Sequence, residues 1–354
     1  MKLNWEIYAH HLDFAFKAKT SRGEIKQKEV FYIRVFDEKG VSGWGECSPI
    51  KGLSPDGETD YMRYFQRFKL TIPQEINEPE DLLKLIPDDK PALKMGVETA
   101  LMDYIHGGKK LIFDNDFSRG RVALPINGLI WMGDYDFMME QLEIKLKEGF
   151  SCIKIKVGSL DFEKECSILD YIRKKYSPSE LTLRLDANGA FSSEEALDKL
   201  NVLSEFGIHS IEQPLMPGKY LAMKDLIRQS PIPIAFDEEL IAVKGTEAKR
   251  KLLSDLKPHY IILKPSLLGG FSETAEWIQL AEAEDIGWWI TSFLESNIGL
   301  NAIAQFTGNY QINIPQGLGT GKIYHNNIDS PLSIRGESLY LDLEKSWDMT
   351  KIRK

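Results

Sequence analysis

The chain has 354 residues, enough for a barrel of about 250 residues plus a smaller domain, and so for a sizeable buried core. Apolar residues make up 43% and charged residues 27%, which excludes wholesale disorder. The net charge of −9 argues against nucleic-acid and anionic-membrane partners, and it is compatible with a homo-oligomer.

Cys47, Cys152 and Cys166 form no C-x-x-C pair, and their odd number leaves a thiol unpaired within the chain, so a cytoplasmic address is the default expectation. The opening MKLNWEIYAHHLDF has no apolar run of signal-peptide type, and there is no charge-free stretch of about 20 residues to span a bilayer. The histidines show no zinc-like spacing, and His10 and His11 read as surface residues of a first strand.

Residues 1–120 predict an α+β unit. KEVFYIRVFDE at 28–38 alternates as a strand, SGWGECSP at 42–49 is a strand running into a turn, and 91–106 is a helix opened by Pro91. Its apolar stripe is Leu93, Val97, Ala100, Leu101 and Tyr104. KTSRGE at 19–24 and PIKGLSPDG at 49–57 read as loops.

Over residues 121–324 strands and helices alternate. The strands are VALPING at 122–128, CIKIKVG at 152–158, LTLRLDANG at 181–189, HSIEQP at 209–214, IPIAFDEE at 232–239, YIILKPS at 260–266, WWITSF at 288–293 and INIPQG at 312–317. Amphipathic helices fit between them, as at 192–206, where Ser192 and Glu195 make a capping box. Eight such strands predict an α/β fold closed as a parallel barrel. An open doubly wound sheet is the alternative, but no G-x-G-x-x-G follows the first strand. The segment 325–354 carries one late strand, SLYLDL at 338–343, and is expected to return to the first domain.

Side chains of equal parity share one face of a strand. Ile153, Ile155, Leu183, Leu185, Ile211, Ile234, Phe236, Ile261 and Leu263 fall on one face, and Lys154, Lys156, Arg184, Asp186, Glu212, Asp237 and Lys264 on the other. An antiparallel sheet with its charges in water is the simpler alternative. Helices between the strands must cover the apolar face, however, which turns the charges into the barrel near its carboxyl ends. Buried ions are costly unless paired or metal-bound, so a functional reason to keep them is expected.

Asp186, Glu212 and Asp237 lie 26 and 25 residues apart, close to one strand-helix unit per step. Three carboxylates make a hard oxygen site suited to Mg²⁺, with Mn²⁺ as a substitute, and zinc is disfavoured without His or Cys. An ion gripping the carboxylate of a small-molecule substrate can stabilise the enediolate formed when the neighbouring carbon loses its proton. Lys156 precedes the first carboxylate by 30 residues and Lys264 follows the last by 27, so two amines flank the site. A lysine with an ordinary pKa of about 10.4 is a poor base at neutrality. Lys154, roughly 7 Å away along the strand, repels it by about 2.4 kcal/mol at an effective dielectric near 20, which favours the neutral amine. A nearby divalent ion acts the same way and the carboxylates oppose it. Lys156, nearer the carboxyl end, is the expected base; Lys264 is either a second acid/base or a fixed cation facing the enediolate.

In order and spacing, KIK at 154–156, LDAN at 185–188, IEQP at 211–214, FDEE at 236–239 and LKPS at 263–266 resemble the enolase superfamily, in its muconate-lactonizing-enzyme-like subgroup. The resemblance covers nearly the whole chain. It implies a modified TIM-type (β/α)7β barrel with an α+β capping domain, and a lysine base working with Mg²⁺. LKPSLLGG at 263–270, TSFLESNIGL at 291–300 and GLGTG at 317–321 are similar to the o-succinylbenzoate synthase family. That likeness implies dehydration of 2-succinyl-6-hydroxy-2,4-cyclohexadiene-1-carboxylate in menaquinone biosynthesis. Lys156 would take the proton and return it to the departing hydroxyl, Lys264 would stabilise the enediolate, and Asp186, Glu212 and Asp237 would hold the metal. The eighth strand lacks the D-x-D of similar dipeptide epimerases, with Gly319, Thr320 and Gly321 standing there instead. An N-acylamino acid racemase or dipeptide epimerase is the enzymatic alternative, and a non-catalytic metal-binding barrel the other.

Other residues divide between function and structure. Asn188 and Arg184 share the face of Asp186 and either order the metal surroundings or pack. Glu238 is an outer partner or a helix-start charge, and Glu239 reads as the latter. Ser292, Glu295, Ser296 and Asn297 lie where the seventh strand meets its helix, where they bind a substrate carboxylate or cap the helix. The glycines of GLGTG could instead cradle phosphate. Lys51, Gly52 and Leu53 either cover the succinyl end of the substrate or form a plain turn. Trp288 and Trp289 read as barrel packing.

Overall fold

The computed structural model describes residues 3–20, 23–73 and 79–352. β1 (Asn4–Thr20) and β2 (Gly23–Phe36) pair antiparallel with Tyr8 opposite Tyr32, and β3 (Ser42–Cys47) pairs with β2. The period of two sorts the sheet's faces. Phe31, Ile33 and Val35 point to α1 (Tyr61–Phe68) and α3 (Pro91–Ile105), while Val30 and Tyr32 pack on the other side with Leu12, Ile298, Ile323 and Ile328. The short α2 (Pro79–Leu83) lies before α3.

α3 starts at Pro91, as expected, but it is buried almost all round rather than along one stripe: Glu98, Thr99 and Asp103 are buried as well as Leu93 and Val97. β3 approaches it closely, since a Cβ on Gly45 would sit 1.9 Å from the carbonyl oxygen of Gly96. Its other side meets the barrel, where Glu98 accepts a 2.6 Å hydrogen bond from the backbone N–H of Phe271. Burial pushes the Glu98 carboxyl up to about 7. Below about pH 4.5 folded and unfolded chains both hold this proton; between about 4.5 and 7 only the folded chain keeps it, so folding stability falls across that window by about 3 kcal/mol. Urea unfolding at the two ends of the window should show this fall in the parent and a smaller one in Glu98→Gln; equal falls would refute the assignment.

Seven parallel strands form the curved sheet: β5 (Gly128–Ile130), β6 (Cys152–Lys156), β7 (Thr182–Asp186), β8 (Ser210–Glu212), β9 (Ile234–Phe236), β10 (Tyr260–Leu263) and β11 (Gly287–Ile290), in that order. Their outward faces, including Ile153, Leu183, Ile211, Phe236 and Ile261, share one core with Ile172, Leu200, Met223 and Leu253 of the surrounding helices. The capping box forms as read: the Ser192 N–H donates to Glu195 and the Glu195 N–H to the Ser192 hydroxyl, ahead of a helix over Ala196–Ser204.

Two strand expectations need correction. VALPING divides: Leu124–Pro125 (β4) pairs antiparallel with Ser338–Leu341, and the first barrel strand begins at Gly128. INIPQG forms no ladder. It closes the ring through single bridges from Gln316 to Ile126 and from Gly317 to Thr291. The fold is nonetheless the expected α/β barrel with an antiparallel cap. The late strand, β13 (Ser338–Leu341), also has an unforeseen partner, β12 (Leu332–Arg335). Ahead of them the chain meets β1, where the Ala15 N–H donates to Ile323 O and the His325 N–H to Asp13 O. Among the described residues, no helix is long and apolar enough to cross a membrane.

Candidate active site at the carboxyl ends of the barrel strands

Strand register builds the site. Lys156 stands beside Asp186 and Asp186 beside Glu212 on three neighbouring strands, while Lys154 lies one inward layer deeper, level with Arg184 and Ser210. Asp237 and Lys264 follow directly after β9 and β10. Below them Ala235, Ile262 and Trp289 fill the barrel, and the Arg184 guanidinium lies 4.1 Å from the Trp289 ring and donates to Pro315 O at 2.8 Å. Arg184 is thus part of the floor. Trp289 is packing, as is Trp288, whose indole N–H reaches Glu282.

The charged groups alternate in sign. Lys154 Nζ lies 2.8 Å from Glu212 Oε2 and 3.2 Å from Asp186 Oδ2. Lys156 Nζ lies 2.9 Å from Asp186 Oδ2 and 2.6 Å from Asn188 Oδ1. Lys264 contacts Asp237 and stands 4.0 Å from Glu212 Oε1. The three carboxylates therefore meet in one layer, but with ammonium groups between them. Among the described residues, no three or more His, Cys, Asp or Glu side chains are gathered closely enough to hold a metal as they stand. The donor set is still the hard-oxygen kind, and the buried Oε1 of Glu212 has no hydrogen-bond partner.

Electrostatics follow from this interleaving. Burial alone would raise the pKa of Asp186, but the Lys156, Lys154 and Lys264 ammonium groups outweigh it and hold the carboxyl well below the usual range. Glu212 is pushed up by burial and by the Asp186 carboxylate, against the pull of Lys154. Asp237 is also raised, with burial outweighing Lys264. Burial favours the neutral amine of Lys154, yet Glu212 and Asp186 outweigh it and its pKa is raised. Lys264 is raised for the same reason, with Asp237 as the main counter-charge to burial.

A cavity of about 580 Å³ lies above this layer, bounded by Lys154, Lys156, Asp186, Asn188, Glu238 and Lys264. Of the other sequence candidates, Ser292, Gly319, Thr320 and Lys51 also line it. The Thr320 hydroxyl donates to the Ser292 hydroxyl at 2.8 Å. Gly52, Glu295 and Asn297 do not line it. Gly52 is an exposed turn residue at φ +73. Glu295 is fully buried and accepts from the Ser266 and Ser292 hydroxyls and the Phe293 N–H. The Asn297 amide donates to Ile328 O.

Sequence reasoning assigned nothing to Gln213, which is fully buried at φ +42. Its Oε1 accepts from the Asp237 and Glu239 N–H groups, and its Nε2 donates to Leu215 O and Glu239, so it sets the exit of β9. A polar residue directly after a strand-end carboxylate was the available signal. Asn188, two residues after Asp186 at the exit of β7, is likewise at positive φ (+43), and its Nδ2 donates to Glu238 Oε1 at 3.0 Å. Leu294, Phe16, Ile25 and Trp131, all on the apolar wall of the cavity, carried no such signal.

Comparison with known proteins agrees with this geometry. The family described as Enolase C-terminal domain-like matches residues 138–340. An o-succinylbenzoate synthase of Desulfotalea psychrophila is 43% identical over 94% of this chain and 97% of its own. The crystal structure of MenC from Desulfotalea psychrophila LSv54 superposes with a TM-score of 0.85 at 40% identity, covering 96% of this chain and 100% of that one. The substrate-liganded L-Ala-D/L-Glu epimerase of Bacillus subtilis superposes with a TM-score of 0.84, covering 96% of each chain, and at 22% identity shares the fold. Sequence, barrel and cap together make this chain a member of the enolase superfamily of enzymes, similar within it to the o-succinylbenzoate synthases.

Proposed function

We propose that the chain is a Mg²⁺-dependent o-succinylbenzoate synthase, a carbon–oxygen lyase that dehydrates 2-succinyl-6-hydroxy-2,4-cyclohexadiene-1-carboxylate to 2-succinylbenzoate in menaquinone biosynthesis. One observation carries the reading: Lys156 and Lys264 both line one cavity and each is tied to a carboxylate of the same layer, on a chain 43% identical to an o-succinylbenzoate synthase.

Lys156, as the neutral amine, removes the proton alpha to the ring carboxylate, and the electron pair passes into an enediolate. The ring then expels the hydroxyl, which takes that proton back from the Lys156 ammonium, so water leaves from the face the proton left. Lys264, on the far side of the carboxylate layer, faces the developing charge, and Lys154 holds Asp186 and Glu212 in place. Asp186, Glu212 and Asp237 are the residues that would hold Mg²⁺, which supplies Lewis-acid stabilisation of the substrate carboxylate. This requires Lys154 and Lys264 to yield part of their present contacts, and the unpartnered Oε1 of Glu212 favours it. Ser292, Thr320, Gly319, Lys51 and Asn188 are proposed to contact substrate. Glu295 and Asn297 would act from behind the cavity wall, and Gly52 in the exposed turn that carries Lys51.

The proposal takes residues 1–120 with 325–354 as the cap and 121–324 as the barrel. It places the enzyme in the cytoplasm, consistent with free thiols at Cys47, Cys152 and Cys166, acting on a small-molecule carboxylate. The deciding assay follows the cyclohexadiene acid by ultraviolet absorbance with and without Mg²⁺. Mg²⁺-dependent formation of 2-succinylbenzoate is expected. Deuterium uptake with inversion of an N-acyl amino acid or dipeptide in D₂O, without any dehydration, would instead establish the racemase or epimerase alternative.

A further inference from the structure

A second cavity, of about 470 Å³, lies against the first on the cap side, and Ile25, Ile50, Lys51 and Leu294 line both. Of these, Leu294 alone comes from the barrel. It is also held in an unusual backbone state, at φ +62, which a branched side chain rarely adopts without being forced.

Side chains hold the backbone polar groups of Phe293 and Leu294. The Ser292 hydroxyl accepts from the Leu294 N–H at 3.1 Å, and the Tyr324 hydroxyl donates to Leu294 O at 2.8 Å. Glu295 accepts from the Phe293 N–H at 2.7 Å, and the buried Lys28 ammonium, reaching over from the cap, donates to Phe293 O. These contacts hold the half-buried Leu294 where the two spaces adjoin, beside Ile25, Ile50 and Lys51 of the cap.

We propose that Leu294 is a specificity-determining partition, which confines the distal keto-acid chain of the substrate to the first cavity and excludes carboxylic acids with longer chains from the second. The proposal rests on the o-succinylbenzoate synthase reading for the identity of that chain. Removing the partition opens space in which added methylenes leave water, a gain of about fourfold in affinity for each one buried.

Leu294→Gly is the informative variant, because glycine accepts the positive φ without strain and removes the wall. The probes are 2-succinylbenzoate and its homologues with a lengthened keto-acid chain, with dissociation constants measured by calorimetry. The parent is expected to prefer the succinyl compound. Leu294→Gly should shift the ratio toward the longer homologues by about fourfold per methylene, with a smaller shift in Leu294→Ala, which also serves should the glycine variant fail to fold. Ratios within about twofold of the parent in the folded variants overturn the proposal, as does a parent that binds none of these acids. Dehydration of the cyclohexadiene acid by the parent is scored separately. Its absence with a shifted ratio sinks the functional reading and leaves the partition standing; its presence with an unshifted ratio sinks only the partition.

Discussion

Lys156→Ala is expected to lower kcat for the dehydration by about 10²- to 10⁴-fold, the usual contribution of one positioned acid/base. Truncation also removes a cation from Asp186, so the sharper variant is Lys156→Arg. A guanidinium keeps its charge and can still pair with Asp186, but it does not release a proton in a protein and so cannot serve as the base. Lys156→Arg should therefore lose turnover and deuterium exchange at the acidic carbon while keeping the parent's melting temperature within a few degrees. Retained exchange in both variants would remove Lys156 from the role of base. Asn188→Ala, which takes away the 2.6 Å hydrogen bond that orients the amine and the 3.0 Å one to Glu238 while leaving the amine in place, should give a smaller loss.

Chelation of divalent ions is expected to abolish turnover and also to lower thermal stability, which reads the metal without reference to the reaction. Three buried carboxylates held apart by shared ammonium groups still bear the cost of leaving water, as the raised values of Glu212 and Asp237 indicate. A ligand that binds only the folded chain stabilises it by about 2.7 kcal/mol at a hundredfold excess over its dissociation constant. Mg²⁺ titration should thus raise the melting temperature of the parent and leave that of an Asp186→Asn, Asp237→Asn variant unmoved. A flat titration for the parent would argue that these carboxylates serve only the lysines.

The alternation of Ile153 and Ile155 with Lys154 and Lys156 made the barrel legible, because intervening helices can pack only on an apolar face. The order of charged layers followed from parity as well, and the charged residues it singled out do meet at one end of the barrel. What failed to show were pairings without a local signature. Leu124 finds Leu339 more than two hundred residues later, so nothing in VALPING marks where one sheet ends and another begins. INIPQG looked like its neighbours, yet with Pro315 at its centre, lacking a donor, it contributes only single bridges. Glu98, Thr99 and Asp103 lie outside the apolar stripe read for 91–106, yet they are buried by partners from distant elements, including Phe271 and Trp44. Among Ser292, Glu295 and Asn297 the ambiguity was chemical, since the groups that grip a carboxylate also tie down a loop.

The apolar underside of the cap, Leu12, Val30 and Tyr32, is covered by Ile298, Ile323 and Ile328, with Trp347, Met349 and Ile352 at its edge. A ribosome makes that covering almost three hundred residues after the surface it protects, an interval on the order of tens of seconds. Through that time the nascent chain carries a paired sheet with one greasy side bare. Holdase chaperones, or slow translation through the intervening strands, then bear on the yield of the enzyme more than on its final stability.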